Sequence, residues 1–275
     1  MNNRNVVLVP AAERDHIQDT IDSINYYEPD AIILVMQDYF TRDRVTGTHT
    51  TFPPLNWPRN SYGGLFQKEL YAFDFILKNL NPKIVLRLDA DALFIRSGVF
   101  AAVQKIFDAN QNIGLAGGLT NINGLQRNFD WAEKLFRTRG GRKTLLKPFL
   151  RREIAGREKM AFANGYIRGL NALGAAAFFR IEMIETWASE GWLDNDRLAN
   201  APIPDDFLFS LHAYASGYTI YDIGGVDGLL GIAAVGLPLA PSELIQRGKY
   251  IVHSVRSYKG MQEGEIRDYF KKRRN

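Results

Sequence analysis

Short runs of almost entirely apolar residues alternate with amphipathic helical segments through the first 117 residues of the chain. Strands that are apolar on both faces are typical of a parallel sheet covered by helices on both sides. The sequence therefore predicts an α/β fold with a mostly parallel central sheet flanked by helices, connected by right-handed crossovers. The predicted strands of this half are residues 6–9, 31–36, 84–88 and 113–116, and its predicted helices are residues 15–25, 64–80 and 99–107.

The second half of the chain has a less regular pattern. We expect helices at residues 134–159, 181–191 and 205–217, and strands at residues 173–180, 218–223 and 250–252. With 275 residues, 46% of them hydrophobic, the chain is long enough to bury one large core. We therefore expect a single domain spanning residues 1–275.

Asp89 and Asp91 follow the predicted strand at residues 84–88 and are flanked by apolar residues. A buried carboxylate without a partner costs on the order of several kcal/mol or shifts its pKa, so this pair requires a compensating cation. Carboxylate oxygens suit Mg²⁺ or Mn²⁺, which complete their coordination with substrate phosphates. Asp194 and Asp196 have the same spacing without a preceding strand, which indicates a loop or a helix cap. The sequence thus predicts a metal site at the first pair, with a capping turn as the alternative.

The carboxyl ends of parallel strands meet at one edge of a sheet, which is where open α/β proteins bind their ligands. Pro10 and Ala11 follow the first predicted strand, and Asp38 follows the second. We expect these residues to converge with Asp89 and Asp91 on one crevice.

The stretch from residue 83 to Asp91, which ends in Leu-Asp-Ala-Asp, follows an amphipathic helix that contains Gln-Lys-Glu-Leu at residues 67–70. This combination resembles the donor-binding core of GT-A glycosyltransferases, and the resemblance covers residues 1–117. It implies a nucleotide-sugar donor half at residues 1–117 and an acceptor half at residues 118–275. It also implies that Asp89 contacts the donor ribose or the metal, and that Asp91 ligates the metal directly.

The same resemblance assigns further donor contacts. Pro10, Ala11 and Asp38 would lie near the nucleobase and ribose. Lys68 stands where some such families place a base that contacts the donor, and a solvated helix lysine is the alternative.

His253 ends the predicted strand at residues 250–252. The resemblance implies a third metal ligand here, followed by Lys259 as a contact to the diphosphate. The chain departs from the family pattern because Arg256, Gly260 and Met261 replace the usual glycine and proline-tryptophan. A hydrogen-bonded structural histidine is the alternative reading of His253.

Asp205 and Asp206 open the predicted helix at residues 205–217. They fit a helix start, with Asp205 at the cap and Asp206 facing the positive end of the helix dipole. The resemblance instead implies a general base that deprotonates the acceptor hydroxyl, and we expect Asp206 rather than Asp205 in that role.

These features together predict a metal-dependent glycosyltransferase. It would move a sugar from a nucleoside-diphosphate sugar to a hydroxyl acceptor, in glycan or surface-polysaccharide synthesis. Residues 134–159 contain ten Lys or Arg and two Glu, which predicts an anionic or lipid-linked acceptor and peripheral contact with a membrane, with a solvated helix face as the alternative. We expect residues 271–274, also basic, to be a solvated tail, and the net charge of +4 argues against a nucleic-acid partner.

We expect a cytoplasmic protein that contacts the inner face of the membrane. The chain has no cysteine, its polar start runs directly into a strand, and its longest apolar stretch has 13 residues, whereas a membrane span needs roughly 20.

Two other functions fit the acid pair. A haloacid-dehalogenase-like phosphotransferase also carries Asp-x-Asp after a strand, but there the motif lies on the first strand and continues with a small hydroxyl residue. A catalytically silent nucleotide- or carbohydrate-binding module would keep the fold without turnover. Phosphate-binding loops and dinucleotide fingerprints are absent from the sequence.

Overall fold

The computed structural model describes residues 4–12, 16–37, 50–52, 62–120, 148–194, 196–199 and 201–274. Seven strands of these residues form one central sheet. They are β1 (Val6–Ala11), β2 (Ile32–Gln37), β3 (Thr50–Phe52), β4 (Ile84–Leu88), β6 (Ile113–Gly118), β7 (Leu173–Arg180) and β8 (Thr219–Asp222). Their spatial order is β3-β2-β1-β4-β7-β6-β8.

Most neighbouring strands of this sheet are parallel. β1 is parallel to β2 and β4, β2 to β3, and β6 to β8, whereas β7 runs antiparallel to both β4 and β6. The predicted α/β class with a mostly parallel central sheet is therefore confirmed.

Eight α-helices belong to the described residues. They are α1 (Ile17–Tyr27), α2 (Tyr62–Asn79), α3 (Val99–Ala109), α4 (Pro148–Ala163), α5 (Ile181–Ser189), α6 (Asp205–Ala215), α7 (Pro241–Gln246) and α8 (Glu263–Lys271). None of them is both long and apolar enough to cross a membrane.

The sheet separates two hydrophobic cores, because alternate residues of each strand point to opposite faces. Val6 and Leu8 of β1 contribute to the core that α2, α5 and α6 cover, whereas Val7 and Val9 contribute to the core under α1 and α3. Burial on both faces explains why the strands are apolar at nearly every position.

A smaller sheet and a hairpin complete the fold. β5 (Leu93–Phe94), β10 (Ile251–His253) and β9 (Leu230–Ile232) form the small sheet in that spatial order. β11 (Ser257–Tyr258) and β12 (Met261–Gln262) form the hairpin that leads into α8. A third apolar cluster joins these elements and includes Leu93, Val252, Ile266 and Phe270.

The C-terminal end differs from its prediction. The segment after His253 was expected to hold no further strand and to end as a solvated tail, but it forms β11, β12 and α8. Arg274 is buried, and its guanidinium bonds the carboxylate and the carbonyl oxygen of Asp19 on α1. The prediction of a solvated tail at residues 271–274 agrees with the exposure of Lys271, Lys272 and Arg273 and is wrong for Arg274. The segment before it folds because Ile266 and Phe270 anchor a helix whose other residues are mostly charged.

Part of the basic segment lies outside the described residues. Of the predicted helix at residues 134–159, the part from residue 148 onward is helical in α4, and residues 134–147 are not described.

Candidate metal and active site

Asp89 and Asp91 occupy a tight turn between β4 and β5. The backbone N–H of Asp89 still pairs with the sheet, donating to the carbonyl of Ala175 at 3.0 Å. The N–H of Ala92 then donates to the carbonyl of Asp89, also at 3.0 Å, which closes the turn before β5 starts. Both carboxylates therefore leave the sheet at the carboxyl end of β4.

Strand pairing in the small sheet brings His253 to this turn from the far end of the chain. β10 is antiparallel to β5, so that Val252 is level with Leu93. The next residue, His253, consequently lies beside Asp91, and the N–H of Val255 donates to the Asp91 carbonyl at 3.0 Å. The predicted meeting of the acid pair with the strand-end histidine is present in the structure.

One atom of each of these three side chains faces the other two. Nε2 of His253 lies 3.1 Å from Oδ1 of Asp91 and 3.4 Å from Oδ2 of Asp89. Nδ1 of the same ring lies 2.8 Å from the carbonyl oxygen of Ala233, which only accepts, so Nδ1 carries a proton. Nε2 is thereby directed at the two carboxylates.

The other oxygen of each carboxylate has an outer partner. Arg87 bonds Oδ1 of Asp89. Oδ2 of Asp91 accepts from the Ser254 hydroxyl at 2.6 Å and from Nε of Arg256 at 2.7 Å. These partners fix the orientation of both acids and leave one oxygen of each facing His253.

The charges of the cluster shift its pKa values in opposite directions. Burial acts to lower the pKa of His253, but its hydrogen bonds to Asp89 and Asp91 outweigh that effect and raise it to about 9. Burial acts to raise the pKa of Asp91, but His253, Ser254 and Arg256 hold it well below its usual range. For Asp89, burial is again opposed, chiefly by Arg87, and its pKa is lowered. Both acids are therefore carboxylates at neutral pH.

The cluster fits a hard divalent cation. The facing ligand atoms of Asp89, Asp91 and His253 all lie within 4.8 Å of one another. Adjacent ligands of an octahedral ion with bonds of about 2.1 Å are about 3 Å apart, which is close to the spacing around Nε2. Two carboxylates and an imidazole are ligands that suit Mn²⁺. Mg²⁺ prefers oxygen ligands and would bind mainly to the two carboxylates.

A buried ionic network extends the cluster toward α2 and α6. Nε of Arg87 donates to Oε1 of Glu69 at 2.8 Å, and its Nη2 donates to Oδ2 of Asp205 at 3.1 Å. Its Nη1 bonds the carbonyl of Gly174 in addition to Asp89. Arg87 is almost fully buried, and its guanidinium bonds three acidic side chains, of which Glu69 is fully buried, Asp205 is mostly buried and Asp89 is partly exposed.

Asp206 lies beside this network and has its own partner. Its Oδ2 accepts a hydrogen bond of 2.6 Å from Nδ2 of Asn171, a fully buried residue just before β7. The prediction that Asp205 caps the helix is wrong, because Pro204 is the capping residue and the side chain of Asp205 turns to Arg87 instead. The structure thus gives the two acids different surroundings.

The predicted donor residues are placed as follows. Leu8 on β1 is level with Arg87 on β4, so Pro10 and Ala11, the last residues of β1, lie at the same edge of the sheet as Asp89. Asp38 lies outside the described residues. Lys68 is partly buried on α2, next to Glu69. Lys259 is exposed at the tip of the β11–β12 hairpin, with Nζ 5.5 Å from the Tyr258 ring centroid. Their roles in donor binding stay predictions.

Several polar residues of this site have no role predicted from the sequence. They are Glu69, Arg87, Asn171, Ser254 and Arg256. The one available signal was Arg87 itself, a charge inside an otherwise apolar strand, which implies acidic partners. The others are defined only by contacts across long sequence separations.

Comparison with known proteins gives fold matches alone. No protein-family model matches the sequence, and no curated protein matches it. The solved structures that are similar to this chain include glycosyltransferases.

Three of these structures illustrate the likeness. The galactosyltransferase LgtC, in complex with donor and acceptor sugar analogs, is 12% identical, with a TM-score of 0.48 over 98% of this chain and 95% of that one. A glycosyltransferase involved in glycosylation of the major capsid of PBCV-1 is 10% identical, with a TM-score of 0.47 over 98% and 99%. Core-mannan synthase A from Aspergillus fumigatus, in a Mn/GDP form, is 10% identical, with a TM-score of 0.40 over 80% and 70%.

Identities this low, with TM-scores below 0.5, transfer no substrate, metal or residue role to this chain. Its function has to be argued from the cluster of Asp89, Asp91 and His253 and from the residues around it.

Proposed function

We propose that this chain is a metal-dependent glycosyltransferase that moves a sugar from a nucleoside-diphosphate sugar to a hydroxyl group. The observation that carries the proposal is the convergence of Asp89 Oδ2, Asp91 Oδ1 and His253 Nε2 at the carboxyl edge of a mostly parallel sheet. Nucleotides bind at that edge in open α/β folds. Asp89, Asp91 and His253 would hold a Mn²⁺ or Mg²⁺ ion there, which would supply Lewis-acid stabilisation of the charge on a diphosphate leaving group.

The residues around the cluster orient its carboxylates for a metal ion and an anionic donor. Arg87 holds Asp89, while Ser254 and Arg256 hold Asp91, so the two carboxylates stay ionised and correctly aimed. In this proposal the backbone at Pro10 and Ala11 and the side chain of Asp38 contact the nucleoside, and Lys68 and Lys259 contact the phosphates.

Asp206 is the proposed base that accepts the proton of the acceptor hydroxyl. It lies in the first turn of α6, where the positive end of the helix dipole favours a carboxylate. Asn171 holds one of its oxygens at 2.6 Å and so orients the group. Asp205 is bonded to Arg87, which supports a structural role for Asp205 and the catalytic one for its neighbour.

The decisive experiment is a donor screen with the full chain. Nucleoside-diphosphate sugars are incubated with Mn²⁺, with Mg²⁺ or with EDTA, and released nucleoside diphosphate is measured with and without glycan acceptors. We expect release with one donor class, dependent on the metal and lost in Asp91→Asn and His253→Ala. Such turnover also distinguishes a transferase from a silent binding module.

The chain contains a matched control for these variants. Asp196 is the second acid of the other Asp-x-Asp triplet, and it is exposed. Asp196→Asn therefore makes the same chemical change as Asp91→Asn at a site outside the cluster. Metal-dependent release that survives Asp91→Asn at the wild-type rate overturns the proposed function.

The finer proposal concerns the acceptor, which we infer to be carried by an anionic lipid surface. α4 and the turn after it expose apolar side chains and cationic side chains together. Phe149 is 71% exposed and Ile167 66%, while Arg152 and Lys159 are exposed on the same helix. The two acids of the helix are engaged, since Glu153 pairs with Arg157 and Arg197, and Glu158 pairs with Arg168. Exposed apolar residues beside exposed cations suit a membrane interface.

Vesicle flotation tests this surface separately from catalysis. The full chain should float with vesicles that contain phosphatidylglycerol. With vesicles of pure phosphatidylcholine it should remain in the bottom fraction. Arg152→Gln with Lys159→Gln should abolish flotation, while the control Lys105→Gln on α3 should not. If the double variant floats as well as the wild type, the proposal of an acceptor on an anionic lipid surface is wrong, while the proposed transferase function is unaffected.

A further inference from the structure

The turn that carries the metal cluster is held from behind by α1 and the C-terminal helix. The peptide carbonyl of Ala90, between the two acidic ligands, is buried and points away from them. Oγ1 of Thr20 donates to it at 2.7 Å and lies 3.1 Å from the Ala92 carbonyl. Nη2 of Arg267 donates to the Ala90 carbonyl at 3.2 Å.

Contacts with neighbouring side chains fix the position of Arg267. It is almost fully buried on α8, where its Nε donates to Oε1 of Glu263 at 2.8 Å. Its Nη1 lies 3.3 Å from both Oδ2 of Asp19 and Oγ1 of Thr20. A charged donor with this many fixed contacts has little freedom to follow a turn that moves.

The orientation of the Ala90 carbonyl matters for the ligands on either side. The peptide groups of Ala90 set the directions in which Asp89 and Asp91 leave the backbone. Within the described residues the hydrogen bonds to this carbonyl come from Thr20 and Arg267. Loss of either donor leaves a buried acceptor undersatisfied, which favours rotation of the turn.

We propose that Arg267, together with Thr20, is a positioning residue for the metal cluster, and that α8 sets the affinity of the cluster for the ion. The inference rests on the proposed function, because it concerns the metal that Asp89, Asp91 and His253 would hold. It goes beyond that function by assigning a role to the C-terminal helix, which contributes no ligand to the cluster.

Binding of Mn²⁺ alone to the full chain is the test, measured by electron paramagnetic resonance of the free ion. Outer-sphere partners of metal ligands commonly change affinity 10- to 100-fold, so we expect Arg267→Met to raise the Mn²⁺ dissociation constant about 10-fold. Thr20→Val removes the hydroxyl at nearly constant volume and should act in the same direction. Arg267→Lys, which keeps a cationic donor, should recover part of the affinity.

A second buried arginine provides the matched control. Arg180 also donates to backbone carbonyls, those of Phe107, Asn110 and Ile113, and lies at the opposite end of the sheet, level with Ile84. Arg180→Met should lower the melting temperature as a buried arginine change does, while leaving Mn²⁺ affinity at the wild-type value. A merely structural role of Arg267 predicts the same behaviour for both variants.

The outcomes separate the two proposals. If the wild-type chain binds no Mn²⁺, the metal proposal fails and this inference fails with it. If the wild type binds Mn²⁺ and folded Arg267→Met and Thr20→Val bind it equally well, the positioning role is overturned while the proposed function stands. Should Arg267→Met not fold, the milder Thr20→Val decides alone.

Discussion

Nη2 of Arg87 donates a hydrogen bond to Oδ2 of Asp205 across 3.1 Å, joining the strand before Asp89 and Asp91 to the first turn of α6. The same guanidinium also bonds Glu69 and Asp89, so it connects three elements of the site. Because a single buried cation serves three acids, its removal affects the stability of the chain and the geometry of the cluster together.

Arg87→Met is expected to destabilise the chain by about 3–5 kcal/mol, because Glu69 and Asp205 are then left buried without a cation. Urea unfolding followed by circular dichroism measures the loss. Lys78→Ala is the control, since Lys78 is exposed and water screens its pair with Asp74, so the free energy of unfolding should stay close to that of the wild type. Comparable effects of the two substitutions would contradict the buried network.

The pH dependence of stability should report on Glu69. Burial raises its pKa to about 8, against the attraction of Arg87 and aided by the charges of Asp205 and Asp89. Between its ordinary pKa of 4.5 and about 8 the folded chain binds more protons than the unfolded chain. The contribution of Glu69 to the free energy of unfolding is therefore fully present below pH 4.5 and is lost as the pH rises through 8. The loss is at most about 1.4 kcal/mol per pH unit.

Glu69→Gln should remove this dependence, since the amide does not titrate. The free energy of unfolding of both chains is measured in urea at pH 5.5, 6.5 and 7.5. We expect the wild-type advantage over the variant to shrink as the pH rises. Parallel profiles would show that Glu69 stays ionised throughout, with Arg87 compensating it fully.

The parts of the site that were predictable from sequence are those set by local pattern. The strand at residues 84–88 was predicted at its observed bounds, and Asp89 and Asp91 follow it at the sheet edge as expected. Their position after a buried strand distinguished Asp89 and Asp91 from Asp194 and Asp196. Carboxylates flanked by apolar residues are shielded from water and need a cation to compensate their charge. His253 was predicted as a ligand candidate from its place at a strand end.

The rest depends on contacts that no local pattern encodes. Arg87 and Asp205 are 118 residues apart in sequence, and Arg267 and Ala90 are 177 apart. α8 was not predicted because Ile266 and Phe270, its core residues, stand among mostly charged residues, and contacts of Arg267 with Asp19 and Thr20 join it to α1. Long-range pairing, rather than propensity, determines these features.

Asp206→Asn should lower the turnover number about 10²- to 10⁴-fold, the usual contribution of a positioned general base. Binding of Mn²⁺ and nucleoside diphosphate should be unchanged, because Asp206 is bonded to Asn171 and is not one of the ligand atoms. Steady-state kinetics with the donor identified in the screen measures the first effect, and calorimetric titration measures the second. Asp108→Asn, an exposed change on α3, is the control. A larger loss of turnover in Asp205→Asn than in Asp206→Asn would reverse the two assignments.

Lys249→Met should destabilise the loop between β8 and β9. The buried ammonium group of Lys249 donates to the carbonyl oxygens of Gly225, Val226 and Gly228, each at 2.7 Å. Removing a charged donor from three acceptors is expected to cost about 2–3 kcal/mol, since water satisfies the carbonyls only in part. Urea unfolding measures this cost, and amide exchange at residues 224–232 should accelerate relative to the central sheet.

The consequence for the site follows from the strand order of the small sheet. The loop leads into β9, which is parallel to β10 and places Ile232 level with His253. Loosening the loop should therefore also weaken Mn²⁺ binding, because the Ala233 carbonyl that orients the His253 ring follows β9 directly. Arg247→Ala, two residues before Lys249, removes only an exposed pair with Glu243 and should change neither property. Wild-type exchange rates at residues 224–232 in Lys249→Met would show that the glycine-rich loop holds its conformation without the ammonium group.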